Sequence, residues 1–336
     1  MIAARPLAAV IGTLLALGSS TVPARATERL ARVDSVVFHH RDVALAGTLY
    51  VPAGSGRRPA VVAFHAAGAG RRDDPAYRHL VAALPSAGIA VLLFDRRGSG
   101  ESGGDFAAAK FEDLARDGIA AIEFLKMRPD IDPARIGVWG VSQGGWLAPL
   151  AASLTRDIAF VVAVSGPGVT PKRQMDYAAE YALKAAGTAP EIVTRALHVR
   201  EVVNDYYRGF RTMSEAKQEI DAIRLEPWFG LVMLPNAGVL PAEPKGTKWF
   251  AEMDYDPLEV LARVEVPTAF FFAKVDPWVP VEESIAGIRR AMRDNPAVTI
   301  RRIPHAGHYM ETGTGETSDS YVKQLLQWLR DQVKPR

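Results

Sequence analysis

The stretch Gly140-Val141-Ser142-Gln143-Gly144 constrains this chain more than any other. Arg135 to Trp139 reads as a buried strand before it, and Trp146 to Leu154 reads as a helix after it. A serine held between two glycines at a strand-to-helix turn is the pattern of a nucleophile elbow. The turn forces the serine into a strained backbone conformation, and a Cβ at either flanking position would collide with the neighbouring strand or helix. The serine hydroxyl cannot attack a carbonyl unaided at neutral pH. The motif therefore demands a carboxylate and a histidine downstream, in that order.

Both are present. Thr268 to Ala273 is a short apolar run that ends in Lys274-Val275-Asp276-Pro277-Trp278-Val279-Pro280, a strand followed by a loop that carries Asp276. Val298 to Ile303 is a second β-rich run, followed by Pro304-His305-Ala306-Gly307-His308. Ser142 as nucleophile, His308 as base and Asp276 as the acid that orients it all fall at strand C-terminal ends, where an open parallel sheet gathers its ligand-binding loops. Asp254 and Asp256 are the other candidates for the acid; both precede Pro257 and read as a loop into a helix from Leu258 to Arg263. His305 is the rival of His308. Because His39 and His40 are adjacent in a strand they point to opposite faces, and no histidine pair has ligand spacing on a helix, so no metal is expected. Asp95-Arg96-Arg97-Gly98-Ser99-Gly100 lacks the spacing of a phosphate loop and reads as a structural turn.

Val36 to His40 and Ala44 to Val51 alternate as an antiparallel edge pair. Strands at 60–64, 89–94, 135–139, 159–164, 268–272 and 298–303 then follow, separated by helices at 77–86, 111–127, 146–154 and 320–334. Strands that take turns with helices imply an α/β fold with parallel pairing and right-handed crossovers. Leu114, Gly118, Ala121, Ile122 and Leu125 recur at helical spacing and predict the face that lies on the sheet. The alternation stops between Pro167 and Asp256, where the sequence reads as helices at 172–186, 190–210 and 214–225 and a Trp/Pro/Gly-rich stretch from Glu226 to Phe250. This predicts a helical cap at 167–256 inserted into a core made of 34–166 and 257–336. Trp228, Phe229, Leu231, Met233, Leu234, Trp249 and Phe250 are expected either to line an acyl pocket or to form the core of the cap.

Ser142, Asp276 and His308, with Phe64-His65-Ala66-Ala67-Gly68-Ala69-Gly70, Phe94-Asp95-Arg96-Arg97-Gly98-Ser99-Gly100-Glu101-Ser102 and Asp276-Pro277-Trp278, resemble the α/β-hydrolase superfamily. The likeness runs from about Val36 to Val333 and is greatest to bacterial serine esterases of the prolyl oligopeptidase and dienelactone hydrolase branches. It implies a mostly parallel sheet flanked by helices, and hydrolysis of short to medium acyl esters through an acyl-enzyme without a cofactor. Small-peptide or amide hydrolysis and thioester hydrolysis are the alternatives on the same residues, with a non-catalytic exported binding protein behind them. It also implies an oxyanion hole made by the amides of Gln143 and Ala67. The family's usual His-Gly pair is His65-Ala66 here, so Ala66 stays open as the second donor.

With 336 residues, 48% hydrophobic and 23% charged, the chain has enough apolar residues for a full core. Leu7 to Leu17 is apolar, follows Arg5 and precedes Pro23-Ala24-Arg25-Ala26, which predicts a cleavable signal peptide at 1–26 and an exported, periplasmic or secreted protein without stable membrane association. The chain has no cysteine, which excludes disulfides, a thiol nucleophile and a lipidated N-terminal cysteine. Removal of the leader would take away Arg5 and Arg25, lowering the 40 basic residues to 38 against 38 acidic ones. A formally neutral chain gives no electrostatic case for nucleic acid as a partner, and a small-molecule ester is the expected one.

Overall fold

The computed structural model describes residues 30–68 and 70–334, so the leader expected at 1–26 lies outside the described residues. Eight strands form one sheet in the order β1-β2-β4-β3-β5-β6-β7-β8. They are β1 (Leu30–His40), β2 (Val43–Pro52), β3 (Arg58–Phe64), β4 (Ala90–Phe94), β5 (Ile131–Val141), β6 (Val161–Val164), β7 (Thr268–Ala273) and β8 (Val298–Ile303). β1 and β2 pair antiparallel, as do β2 and β4; every other pairing is parallel. The period-2 alternation of side chains explains how one strand serves two faces. In β7, Phe270 and Phe272 join Leu114, Ile122, Leu147 and Ile285 on one side, while Ala269, Phe271 and Ala273 join Leu80, Tyr321, Leu325 and Leu329 on the other.

The helices that cover the first face are α2 (Phe111–Lys126), α3 (Gly144–Leu154) and α9 (Val281–Ala291); α1 (Arg78–Ala83) and α10 (Asp319–Gln332) cover the second. All five positions predicted for the buried face of α2 are buried. Gly118 permits its close approach, because a Cβ there would stand 2.0 Å from the ring of Phe64. The helix predicted at 77–86 is divided: α1 stops at Ala83, Pro85 opens a short 3₁₀ turn, and Gly88 ends it at φ 82°. Proline has no N–H to continue the ladder, and glycine accepts the left-handed conformation without steric cost. The sequence reading missed α9, whose buried residues Val281, Ser284, Ile285, Gly287 and Ile288 follow helical spacing on a short, otherwise charged segment.

Residues 171–254 form a second compact unit, built on α4 (Pro171–Ala185), α5 (Pro190–Arg208), α6 (Met213–Asp221) and α7 (Lys248–Glu252). Its core contains Leu183, Val199, Val203, Tyr207, Ile220, Val232 and Leu234, and Trp228, Phe229, Leu231, Trp249 and Phe250 lie against that cluster. Arg200 is the polar tie inside it. The side chain is 1% exposed, meets Asp176 Oδ1 at 2.7 Å and donates to the carbonyls of Val232 and Met233 at 2.8 and 2.5 Å. These partners replace the water given up by Nε and Nη1, while Nη2 is buried without a hydrogen-bond partner among the described residues.

Two histidines, His65 buried and His79 half-buried, are expected to make the larger unit acid-sensitive. His65 donates from Nε2 to Phe94 O at 2.5 Å, and burial, reinforced by the Arg96 charge, pushes its pKa down to about 4. Burial also takes His79 to about 4, against the opposing effect of its contact with Ala76 O. Above the unfolded value of about 6.5 both states are neutral and nothing is lost; as pH falls from there toward 4, the unfolded chain takes protons that the native one refuses. Stability is therefore expected to fall with pH in this window, approaching about 2.7 kcal/mol per unit for the two groups together. Thermal melts between about pH 7 and pH 5 check this, and a flat Tm across that range would contradict it.

Candidate active site

Ser142 immediately follows β5 with φ 55°, a left-handed conformation in a residue that carries a Cβ. Such backbone strain persists only where surrounding structure holds it. Here the Ser142 N–H donates to Val164 O at 2.9 Å and the Ser142 carbonyl accepts from Gly145 N at 2.8 Å, so the turn is tied to the end of β6 and to the first turn of α3. The flanking glycines are required by space. A Cβ on Gly140 would lie 2.0 Å from Gly144 O, and one on Gly144 would lie 2.5 Å from Phe64 O.

The parallel register lines up the strand ends: Val141 pairs with Val164, Val164 with Phe271, and Ala273 with Ile303. The loops that leave this edge carry Ser142, Asp276 and His308. Asp276 is fully buried and its two oxygens have separate tasks. Oδ1 accepts from the amides of Trp278 and Val279 at 2.8 and 3.1 Å, and Oδ2 meets His308 Nδ1 at 2.8 Å. A carboxylate accepts here, so Nδ1 is the donor, and it is the neutral tautomer with its hydrogen on Nδ1 that would leave Nε2 with a lone pair. His308 is 6% exposed, and its carbonyl accepts from Ser165 Oγ at 2.7 Å. Ser165 follows β6, has φ 47°, and donates its own N–H to Phe271 O. The end of β6 thus holds both the Ser142 turn and the His308 loop.

Of the rival residues, the two aspartates are engaged elsewhere and His305 is exposed. His305 is exposed at φ 57° on the same loop. Asp254 forms an ion pair with Arg208, and Asp256 caps α8 (Pro257–Leu261) by accepting from Leu258 N at 2.8 Å. His65 is committed to Phe94.

Of the amides expected to face a developing oxyanion, that of Ala66 donates to Tyr77 OH at 3.2 Å. Burial raises the Tyr77 pKa, so the hydroxyl remains protonated and able to accept. The amides of Ala67 and Gln143 meet no acceptor among the described residues. Sequence reasoning missed the contacts of three residues: Tyr77 to the Ala66 amide, Ser165 to the His308 carbonyl, and those of Arg96. Arg96 is 3% exposed and reaches Gly68 O, Gln143 Oε1 and His65 O at 2.7, 2.9 and 2.9 Å. Among the described residues no group of three or more His, Asp or Glu side chains is placed to hold a metal ion, and no helix is long and apolar enough to cross a membrane.

Residues 57–312 match the family model described as Hydrolase_4, serine aminopeptidase, S33. The chain is 24% identical over 303 residues to esterase EstD of Thermotoga maritima, an alignment that covers 87% of this chain and 65% of that one. It is 41% identical over 78 residues to the thiohydrolase aneE of Aspergillus aculeatus, covering 23% of this chain and 24% of that protein. The chain therefore spans from about a quarter to less than two thirds of the length of these relatives. The Pyrococcus furiosus esterase Pf2001 superimposes with a TM-score of 0.60 at 19% identity, over 95% of this chain and 96% of that one, which is a likeness of fold.

Proposed function

The chain belongs to the α/β-hydrolase family described as serine aminopeptidase, S33, and we propose that within it this protein is a serine hydrolase that cleaves carboxylic esters of short to medium acyl chains. The buried Asp276–His308 pair, at the sheet edge where Ser142 stands on its left-handed turn, carries the reading. In the first half-reaction Ser142 Oγ bonds to the acyl carbon while its proton passes to His308 Nε2. The negative charge that develops on the carbonyl oxygen meets the Ala67 and Gln143 amides, and Asp276 stabilises the imidazolium. Collapse of the tetrahedral species breaks the carbon–oxygen bond to the alcohol, which leaves with the proton from His308. Water then repeats the sequence on the acyl-enzyme, releasing the acid and restoring Ser142.

Two further substrate classes fit the same atoms. The family's description favours amides of amino acids, and the thiohydrolase relatives favour thioesters. The test is a panel of p-nitrophenyl esters from acetate to palmitate beside acyl thioesters and aminoacyl p-nitroanilides. Faster turnover of the shorter esters supports the esterase reading; anilides or thioesters turned over at higher kcat/KM would move it to that class.

The bond from Ser165 to His308 O predicts a smaller effect at a residue that touches no substrate atom in this scheme. Ser165→Ala leaves a buried carbonyl without its donor and frees the His308 loop, and is expected to lower kcat about tenfold with KM little changed. Unaltered kcat in a folded Ser165→Ala protein would remove that role.

A further inference from the structure

We propose that Arg96 is the positioning residue of the oxyanion site, a single guanidinium that holds the Ala67 and Gln143 amides in register with each other before substrate arrives. The inference rests on the serine-hydrolase reading above. Its ground is the pattern of partners. Nη2 takes His65 O at 2.9 Å, and Nη1 is shared between Gly68 O at 2.7 Å and Gln143 Oε1 at 2.9 Å. The peptide that joins His65 to Ala66 is thus gripped at both ends, by Arg96 on its oxygen and by Tyr77 OH on its nitrogen. On the far side, Arg96 grips the carbonyl of Gly68, a residue at φ 102°. The Ala67 amide lies between these two fixed points and has little freedom to turn.

The third contact crosses to the other donor. Gln143 directly follows the nucleophile, and its side-chain oxygen binds the same Nη1 that binds the Gly68 carbonyl, 47 residues away from Arg96 in sequence. Arg96 is itself anchored: its backbone N–H donates to Gly70 O at 2.9 Å, and its guanidinium lies 5.3 Å from the centroid of Phe106. Ser99 Oγ donates to the same Gly70 carbonyl at 2.7 Å. The Gly-rich turn after β4, read from sequence as structural, is therefore also the mount from which this side chain spans the two loops. A planar fork with five donors can join three oxygens in fixed directions, whereas a lysine ammonium on a flexible stem cannot reproduce that geometry. An amide displaced by a fraction of an ångström would still bind the ground-state ester but would serve the tetrahedral state poorly.

The experiment compares wild type, Arg96→Lys, Arg96→Gln and Gln143→Ala, each checked for folding by its melt, on the best p-nitrophenyl ester and against phenylboronic acid. The boron accepts the Ser142 oxygen and forms a tetrahedral anion, so its inhibition constant reports the oxyanion site without turnover. Both Arg96 variants are expected to lose about 10²-fold in kcat with KM within a few-fold, and to bind the boronic acid more weakly in the same proportion. Gln143→Ala keeps the backbone amide, loses one contact to Arg96, and is expected to lose about fivefold in kcat. Folded Arg96 variants with unchanged kcat and boronate affinity overturn the inference while leaving the hydrolase standing. If the Arg96 variants fail to fold, unchanged kcat in Gln143→Ala overturns it. A wild type that turns over no ester, thioester or anilide and does not react with a fluorophosphonate overturns the hydrolase reading and this inference together.

Discussion

Ser142→Ala is expected to lower kcat/KM for the best ester by about 10⁵ to 10⁶-fold and to abolish covalent labelling by a fluorophosphonate, while moving Tm by no more than about 2 °C. The size follows from what the hydroxyl does. It is the only side-chain group in the scheme that bonds to the acyl carbon, and without it no acyl-enzyme forms for His308 and water to resolve. What survives comes from the amides of Ala67 and Gln143 and from binding, which together typically retain about 10³ to 10⁴ over the uncatalysed reaction. Stability should hardly change because the turn is held through its backbone: Ser142 N–H to Val164 O, and Ser142 O from Gly145 N. Alanine bears the same left-handed φ as serine with the same Cβ, so no strain is added. Ester turnover that persists at a tenth of wild type or more in the purified variant would exclude Ser142 as the nucleophile and leave the fold without the activity proposed for it.

Local patterns were legible wherever one segment determined the outcome. The strands β3, β4 and β7 and the last six residues of β5 are short apolar runs, and their two-faced burial made them nearly continuous in hydrophobicity, whereas β8, half-buried with Arg301 and Arg302 exposed, was read from its β-branched residues. Ser142 was legible because both of its glycines are steric necessities, with gaps of only 2.0 and 2.5 Å to the backbone. Asp276 and His308 were readable as loop residues after strands, and the structure brings them to 2.8 Å. What escaped was made by contacts between distant segments. Arg96 sits in a turn whose glycines and serines suffice to explain it locally, and nothing near it in sequence announces Gln143 as a partner. Ser165 looks like any residue at the end of a strand until Phe271 and His308 are seen to bind it on two sides. Tyr77 begins a helical run and gave no sign that its hydroxyl would take the Ala66 amide. Helix α9 was lost for a different reason: its eleven residues bury only five, and its charged face reads as a loop.

Asp276→Asn is expected to lower kcat by about 10⁴-fold with KM nearly constant, and the reason lies in how the carboxylate is divided. Oδ1 accepts two backbone N–H groups, from Trp278 and Val279, at 2.8 and 3.1 Å. An asparagine at this position must keep its oxygen on that side, because turning its NH₂ toward two donors would leave three buried donors facing one another. The NH₂ is then directed at His308 Nδ1. Facing a donor, the imidazole must offer a lone pair at Nδ1 and carry its hydrogen on Nε2, which is the wrong tautomer to take the Ser142 proton. The variant keeps its shape and its substrate contacts yet holds the base in the state that cannot act. Asp276→Ala removes that enforced tautomer along with the charge, and is expected to retain more activity than Asp276→Asn despite the larger change in volume. No other carboxylate is placed to take over among the alternatives raised by sequence, since Asp254 is held by Arg208 and Asp256 caps a helix. Initial rates across the ester panel for the two variants decide the matter: a loss under tenfold in folded Asp276→Asn would show that Asp276 does not set the state of His308.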